Sequence, residues 1–238
     1  MNNTWKTHFI AVAWKELMEF WRRNKLLIPG TIVMISVLQY MTIAQIVNNK
    51  ALNDVQKGAI LGFNLMYLPL MVMPFIGSPI LSRSLHEEKL KKSIHVLFAS
   101  GLSRSAIWAG KFLIASIMSY VGMILTSVAY FIMVKVILGL SLTVNSEIMF
   151  VLLFVMPIAC IGLLGLTSLA YWALRNALIV TVAFPMVSML GSWNFIIQFG
   201  LKKPAPLVAI IALLFGVTAI SLSVFGVSRL SKERITRL

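Results

Sequence analysis

Gly110 is followed by Lys111, and a glycine-lysine pair is the centre of the loop G-x-x-x-x-G-K-[ST] that cradles nucleotide phosphates with backbone amides and a lysine. The match ends at the pair. Ser105 stands where the first glycine is required, and Phe112 stands where the magnesium-binding hydroxyl should be. No cofactor is therefore expected on this chain, and any ATP and Mg used with it must be bound by a separate ATPase. The three histidines, His8, His86 and His95, fall in no H-E-x-x-H pattern, and no G-x-S-x-G elbow is present. Cys160 is the one cysteine and lies among apolar neighbours, so neither a disulfide framework nor a cysteine metal site can be built within the chain. These features argue against an enzyme, including an intramembrane hydrolase.

The elements that hold these residues are set by solvent. The chain has 238 residues, 59% of them hydrophobic and only 12% charged, far from the make-up of a water-soluble domain. A bilayer core of roughly 30 Å needs about 20 helical residues to cross. Six stretches without Asp, Glu, Lys, Arg or His meet that need: 26–49, 58–82, 112–134, 148–174, 176–201 and 204–228. None alternates polar and apolar residues like a barrel strand, so the expected fold is all-α and polytopic, one transmembrane domain over 1–238. The first span is expected to be retained, since 25 residues of charged, amphipathic sequence precede it.

Ion-coupled carriers usually bury ionisable groups in their spans, and these six carry none; a proton- or sodium-driven carrier is the weaker transport class. Neutral polar side chains are present instead: Gln39 and Gln45 in span one, Asn64 in span two, and Trp193, Asn194 and Gln198 in span five. In hydrocarbon each needs a partner, either a neighbouring helix or a hydrated path. Pro157 and Pro185, with Gly162, Gly165 and Gly191 near them, mark points of kinking or close packing in spans four and five.

Charge orients the bundle. With both ends in the cytoplasm, sixteen of the 21 Lys and Arg residues fall inside and five outside, the asymmetry of the positive-inside rule. Topology thus absorbs most of the +14 net charge, and nucleic acid is not an expected partner. The lipid bilayer is.

Two segments on the inner side exceed simple connectors. Over 5–25, Ile10, Ala13, Trp14, Leu17 and Trp21 recur at helical spacing, with Lys15, Glu16, Glu19, Arg22 and Arg23 opposite. Such a helix lies along a membrane interface, either as a plain anchor or with a further role. The 83–111 loop is the longest hydrophilic stretch; Leu90, Ile94, Leu97 and Phe98 form one stripe, while Glu87, Glu88, Lys89, Lys91, Lys92 and His95 cover the rest. It reads as a short charged helix for a soluble partner or as a solvated loop whose lysines enforce topology. Ser103 is placed to cap the helix that enters span three.

The run from Glu88-Lys89 through Ser93-Ile94-His95-Val96-Leu97-Phe98-Ala99-Ser100, Gly101-Leu102-Ser103-Arg104 and Gly110-Lys111 resembles the loop between spans two and three of ABC-2 type permeases. There an acidic helix E-x-G-T-L-E-x-L-L-A-S-P leads to V-S-R and a Gly-Lys. Lys15-Glu16-Leu17 with Arg22-Arg23 is similar to that family's elbow helix. Lys92 and His95 stand where the family usually has Gly and Glu, and Gly101 where it has Pro. The resemblance implies a membrane subunit of an ABC exporter in the cell (cytoplasmic or inner) membrane. It would pair with a second permease subunit, as homodimer or heterodimer, and with two copies of an ABC ATPase. It further implies a coupling helix from about Leu85 to Phe98, with Leu85, Glu87, Glu88, Lys91, Lys92, His95 and Phe98 toward the ATPase and Trp14, Lys15, Glu16, Glu19 and Trp21 in the elbow. Gln39, Asn64, Trp193, Asn194 and Gln198 become candidates for the path. The family's substrates include lipid-linked glycans, drugs and peptides, and a short chain with apolar outer spans favours an amphipathic peptide or hydrophobic small molecule. The competing reading is a structural or regulatory subunit without a path.

Overall fold

Asn53 caps the helix that starts at Asp54. Its side chain accepts from the backbone N–H of Gln56 at 2.8 Å while the Gln56 side chain accepts from the Asn53 N–H at 3.1 Å, a reciprocal cap that satisfies two otherwise unpaired donors. The computed structural model describes residues 3–50, 52–137, 139, 145–174, 180, 186, 205–231 and 235. Among these the regular structure is helical, with no strand. In chain order the elements are α1 (Asn3–Arg23), α2 (Leu27–Asn48), α3 (Asp54–Leu81), α4 (Glu88–Leu90), α5 (Ser93–Ala99), α6 (Arg104–Ile132), α7 (Ser146–Phe150), α8 (Met156–Ala173) and α9 (Ala205–Arg229).

Three wide π turns, at Ser82–Glu87, Met133–Ile137 and Val151–Val155, continue α3, continue α6 and join α7 to α8. The last of them precedes Pro157. A proline has no N–H to give the carbonyl four residues back, and that carbonyl, Leu153 O, instead accepts from Tyr120 Oη at 3.1 Å.

Among the described residues, five helical runs are long and apolar enough to cross a membrane: Leu27–Asn48, Asp54–Leu90, Arg104–Val136, Ser146–Ala173 and Ala209–Arg229. By length and composition this is a multi-pass membrane protein. The runs coincide with expected spans one, two, three, four and six. The fifth, 176–201, with Trp193, Asn194 and Gln198, lies outside the described residues apart from positions 180 and 186.

α3 is the central helix, buried along most of its length and packed against α6 and α8. α9 runs along α8, and there glycine decides the distance. A Cβ on Gly162 would stand 2.7 Å from the Gly216 carbonyl oxygen, and one on Gly216 would stand 2.7 Å from that of Ile158. Backbone meets backbone at this seam, as small residues permit in membrane helices.

The expected single helix from Leu85 to Phe98 is two elements. α4 ends at Leu90, Lys92 takes a left-handed backbone (φ 58°), and α5 starts at Ser93. That break turns the chain and dissolves the expected stripe: Ile94 is buried, whereas Leu90 is exposed. Gly101 (φ 77°) then ends the α5 region, the usual place for a residue without Cβ. Ser103 caps α6 as expected, accepting from the Ala106 N–H at 3.2 Å.

Candidate functional site

α1 contains two different apolar surfaces. Val12, Glu16 and Phe20, one helical turn apart, form the buried face packed on α6. Ile10, Trp14, Met18 and Trp21 form a neighbouring arc that remains open, with Trp14 62% and Trp21 58% exposed. The expected stripe is thus divided: Ile10, Trp14 and Trp21 are exposed, whereas Ala13 and Leu17 are partly buried against the core. Glu16, expected opposite it among the solvated charges, is buried, because the helix turns the Val12–Glu16–Phe20 face toward α6.

Gly110 permits the contact. A Cβ there would lie 2.9 Å from Val12 Cγ1 and 3.1 Å from the Ala13 nitrogen, so the two helices touch at the residue before Lys111. The Lys111 ammonium, fully buried, donates to Glu16 Oε1 at 2.5 Å and stands 2.9 Å from Glu88 Oε1. Lys15 reaches the same Glu88 oxygen at 3.1 Å and lies 3.8 Å from Glu19. Five charges from α1, α4 and α6 thus form one network. Glu16, Glu19 and Glu88 bring carboxylate oxygens within 4.8 Å of one another, close enough for a cation. Lysine ammoniums already stand among them.

Burial is the largest influence on Glu16 and pushes its carboxyl above the ordinary range; the Glu88 charge adds to this, while Lys111 and Lys15 pull it down. For Lys15, desolvation works downward, but the charge and hydrogen bond of Glu88, with Glu16 and Glu19, outweigh it and hold the ammonium above its usual value.

Beside the network opens a cavity of about 320 Å³ between the end of α1 and the 83–93 segment, with Glu19, Arg23, Arg83, Glu87, Glu88 and Lys91 on its wall. Arg83 donates to Asn24 Oδ1, and Lys91 pairs with Glu87 at 2.8 Å. Both signs of charge line the opening.

No family model, curated protein or solved structure matches this chain.

Of the residues singled out from sequence, Lys15, Glu16, Glu19, Glu87, Glu88 and Lys91 meet at this cleft or its floor. Leu85 is buried in the core. Lys92 and His95 are exposed beyond the cleft, and Phe98 is partly buried against the core. Gln39 and Asn64 are brought to each other: Asn64 Nδ2 donates to Gln39 Oε1 at 2.8 Å, and Gln39 Nε2 to Met71 Sδ at 3.1 Å, at 3% and 5% exposure. Lys89 and Lys111 belong to the loop's polar face and its Gly-Lys motif but not to the expected site residues, and both are buried. Lys111 is the hub of the network, and the glycine before it, at the start of an apolar span, is the local signal that marks it. Lys89, 2% exposed, has no such signal; its partners are 83 and 85 positions away.

Proposed function

We propose that this chain is the membrane-spanning permease subunit of an ATP-driven exporter of the ABC-2 type, with the cleft between α1 and the 83–93 segment as the dock for its ATPase. The observation that carries the reading is the cleft's construction. Its floor is a buried ion-pair network joining α1, α4 and α6, so a force applied there reaches three elements at once; its rim offers Arg23, Glu87 and Lys91 to a partner of mixed charge. Fixed charges of both signs select and steer a partner whose charges complement them. In this reading the chain sits in the cell (cytoplasmic or inner) membrane with both ends inside, as the sixteen-to-five charge split favours. Trp14 and Trp21 on the open arc of α1 rest at the headgroup level, where such rings are enriched. ATP and Mg are held by two ATPase copies, a second permease subunit completes the path, and the cargo is an amphipathic peptide, a hydrophobic small molecule or a lipid-linked glycan. The test is to purify the tagged chain in mild detergent from its native host and identify by mass spectrometry what accompanies it. A soluble ATPase in about equal amount supports the exporter; a preparation without one refutes it.

A second reading, a structural or regulatory membrane subunit without a path, is favoured by the Gln39–Asn64 hydrogen bond, which uses two path candidates on each other inside the bundle. Cysteines at these positions, probed with aqueous thiol reagents with and without nucleotide, separate the two. Protection in every state favours the structural subunit; nucleotide-dependent labelling favours the exporter.

A further inference from the structure

Glu88 and Lys89 are neighbours in sequence and hold opposite sides of the molecule. Consecutive helical residues point about 100° apart. Glu88 Oε1 receives Lys111 of α6 at 2.9 Å and Lys15 of α1 at 3.1 Å. Lys89 Nζ donates to Leu174 O at 3.0 Å and Trp172 O at 3.3 Å, closing the end of α8. The last carbonyls of a helix have no partner within it and carry the negative end of its dipole, so a buried ammonium is the complementary group. Leu174 has left the helix (φ −95°, ψ 146°), which turns its carbonyl away from the intrahelical ladder.

The π turn at Ser82–Glu87 sets these directions. Each π turn absorbs one residue more than an α turn, so every residue after it occupies the direction its predecessor would have in an unbroken helix. Without the turn Glu88 would take the place of Lys89 and present a carboxylate to the carbonyls of Trp172 and Leu174. A second fastening lies just ahead, where Ser78 Oγ and Tyr171 Oη are 3.1 Å apart and the rings of His86 and Tyr171 are 6.2 Å apart.

We infer that Glu88 and Lys89 form a two-armed fork at the end of the α3 rod, in which Lys89 is the positioning residue for α8 and Glu88 the positioning residue for α1 and α6. Displacement of the loop is then passed separately to the two sides, and beyond α8 through the Gly162–Gly216 seam to α9. Use of that linkage to drive transport rests on the exporter reading; the linkage itself belongs to the isolated chain and can hold or fail without it.

The experiment uses the full chain with Cys160→Ser, reconstituted in lipid nanodiscs and spin-labelled in pairs at exposed sites. One pair, Val96→Cys with Leu174→Cys, reads the loop against α8; the other, Met18→Cys with Val96→Cys, reads it against α1. Pulsed electron resonance distances are expected to be narrow for both pairs in the parent. Lys89→Met should broaden or shift only the loop–α8 distance, Lys89→Arg should restore it because a guanidinium can also donate to two carbonyls, and Glu88→Gln should disturb only the loop–α1 distance. An unchanged loop–α8 distance in Lys89→Met, a failure of Lys89→Arg to rescue, or a disturbance of both distances by either single change overturns the fork. If Lys89→Met does not accumulate, Glu88→Gln carries the test: movement of the loop–α8 pair in that variant refutes separate arms.

Discussion

Lys111 Nζ lies 2.5 Å from Glu16 Oε1, across 95 positions of sequence, and both side chains are closed off from solvent. A buried ion pair is costly to assemble and costlier to halve, because removal of one partner strands the other charge.

Lys111→Met should therefore destabilise the protein severely, by about 3–5 kcal/mol, the usual result of breaking a buried pair. It leaves Glu16 and Glu88 with only the half-exposed Lys15 ammonium beside them. Glu16→Gln keeps a hydrogen-bonding oxygen and leaves Lys111 with Glu88, and should cost far less. Unfolding in mixed micelles at graded denaturing detergent measures both; equal losses would contradict the pairing.

The same carboxylate gives a pH dependence. Its pKa in the folded protein is raised above the ordinary value of 4.5, first by burial and then by Glu88. The folded state therefore binds this proton more tightly than the unfolded chain does. The associated stability is fully present below about pH 4.5 and is lost as pH rises through the folded value. Relative to Glu16→Gln, which cannot titrate, the parent should lose thermal stability as pH is raised from 4.5 toward 7. A difference between the two proteins that is flat over this range, or that grows in the parent's favour, would contradict the raised carboxyl.

Lys92 is exposed and holds a left-handed backbone at φ 58°. That conformation costs an L side chain roughly 1–2 kcal/mol and glycine little, although glycine loses more freedom on folding. Lys92→Gly should raise stability by about 0.5–1 kcal/mol, read as a higher melting temperature, with the cleft undisturbed.

At the α8–α9 seam, Gly216→Ala should destabilise by about 1–3 kcal/mol, since its Cβ would meet the Ile158 carbonyl 2.7 Å away and neither backbone can retreat. Gly165→Ala is a milder case. Its new Cβ would meet Ser223 Oγ at 2.8 Å, and Ser223→Ala should relieve part of the strain. Additive losses in that double mutant would contradict the contact.

Much of the helical order was legible because its signals lie within a few residues of one another. Ser103 before Arg104, the helical spacing through Ile10, Trp14 and Trp21, and the five apolar runs are all local. The pairings of Lys111 with Glu16 and of Lys89 with Leu174 join residues 95 and 85 positions apart, and a lysine paired inside a protein looks in sequence like one that keeps a loop in the cytosol. The break at Lys92 was hidden for another reason. Ile94, two residues on, is buried in the core, a contact distant in sequence, and lysine has no local preference that announces a left-handed turn.

If the cleft is the ATPase dock proposed above, charge reversal on its rim should release the ATPase. Glu87 and Lys91 pair with each other at 2.8 Å near the surface, so reversing both retains their attraction, leaves Lys111 and Glu88 untouched and inverts the pattern a partner meets. The tagged chain carrying Glu87→Lys and Lys91→Glu should purify from its native host in the amount and with the melting temperature of the parent, yet lose the ATPase that accompanies the parent. An ATPase retained at full stoichiometry, or absent already from the parent, would show that the cleft is not its dock.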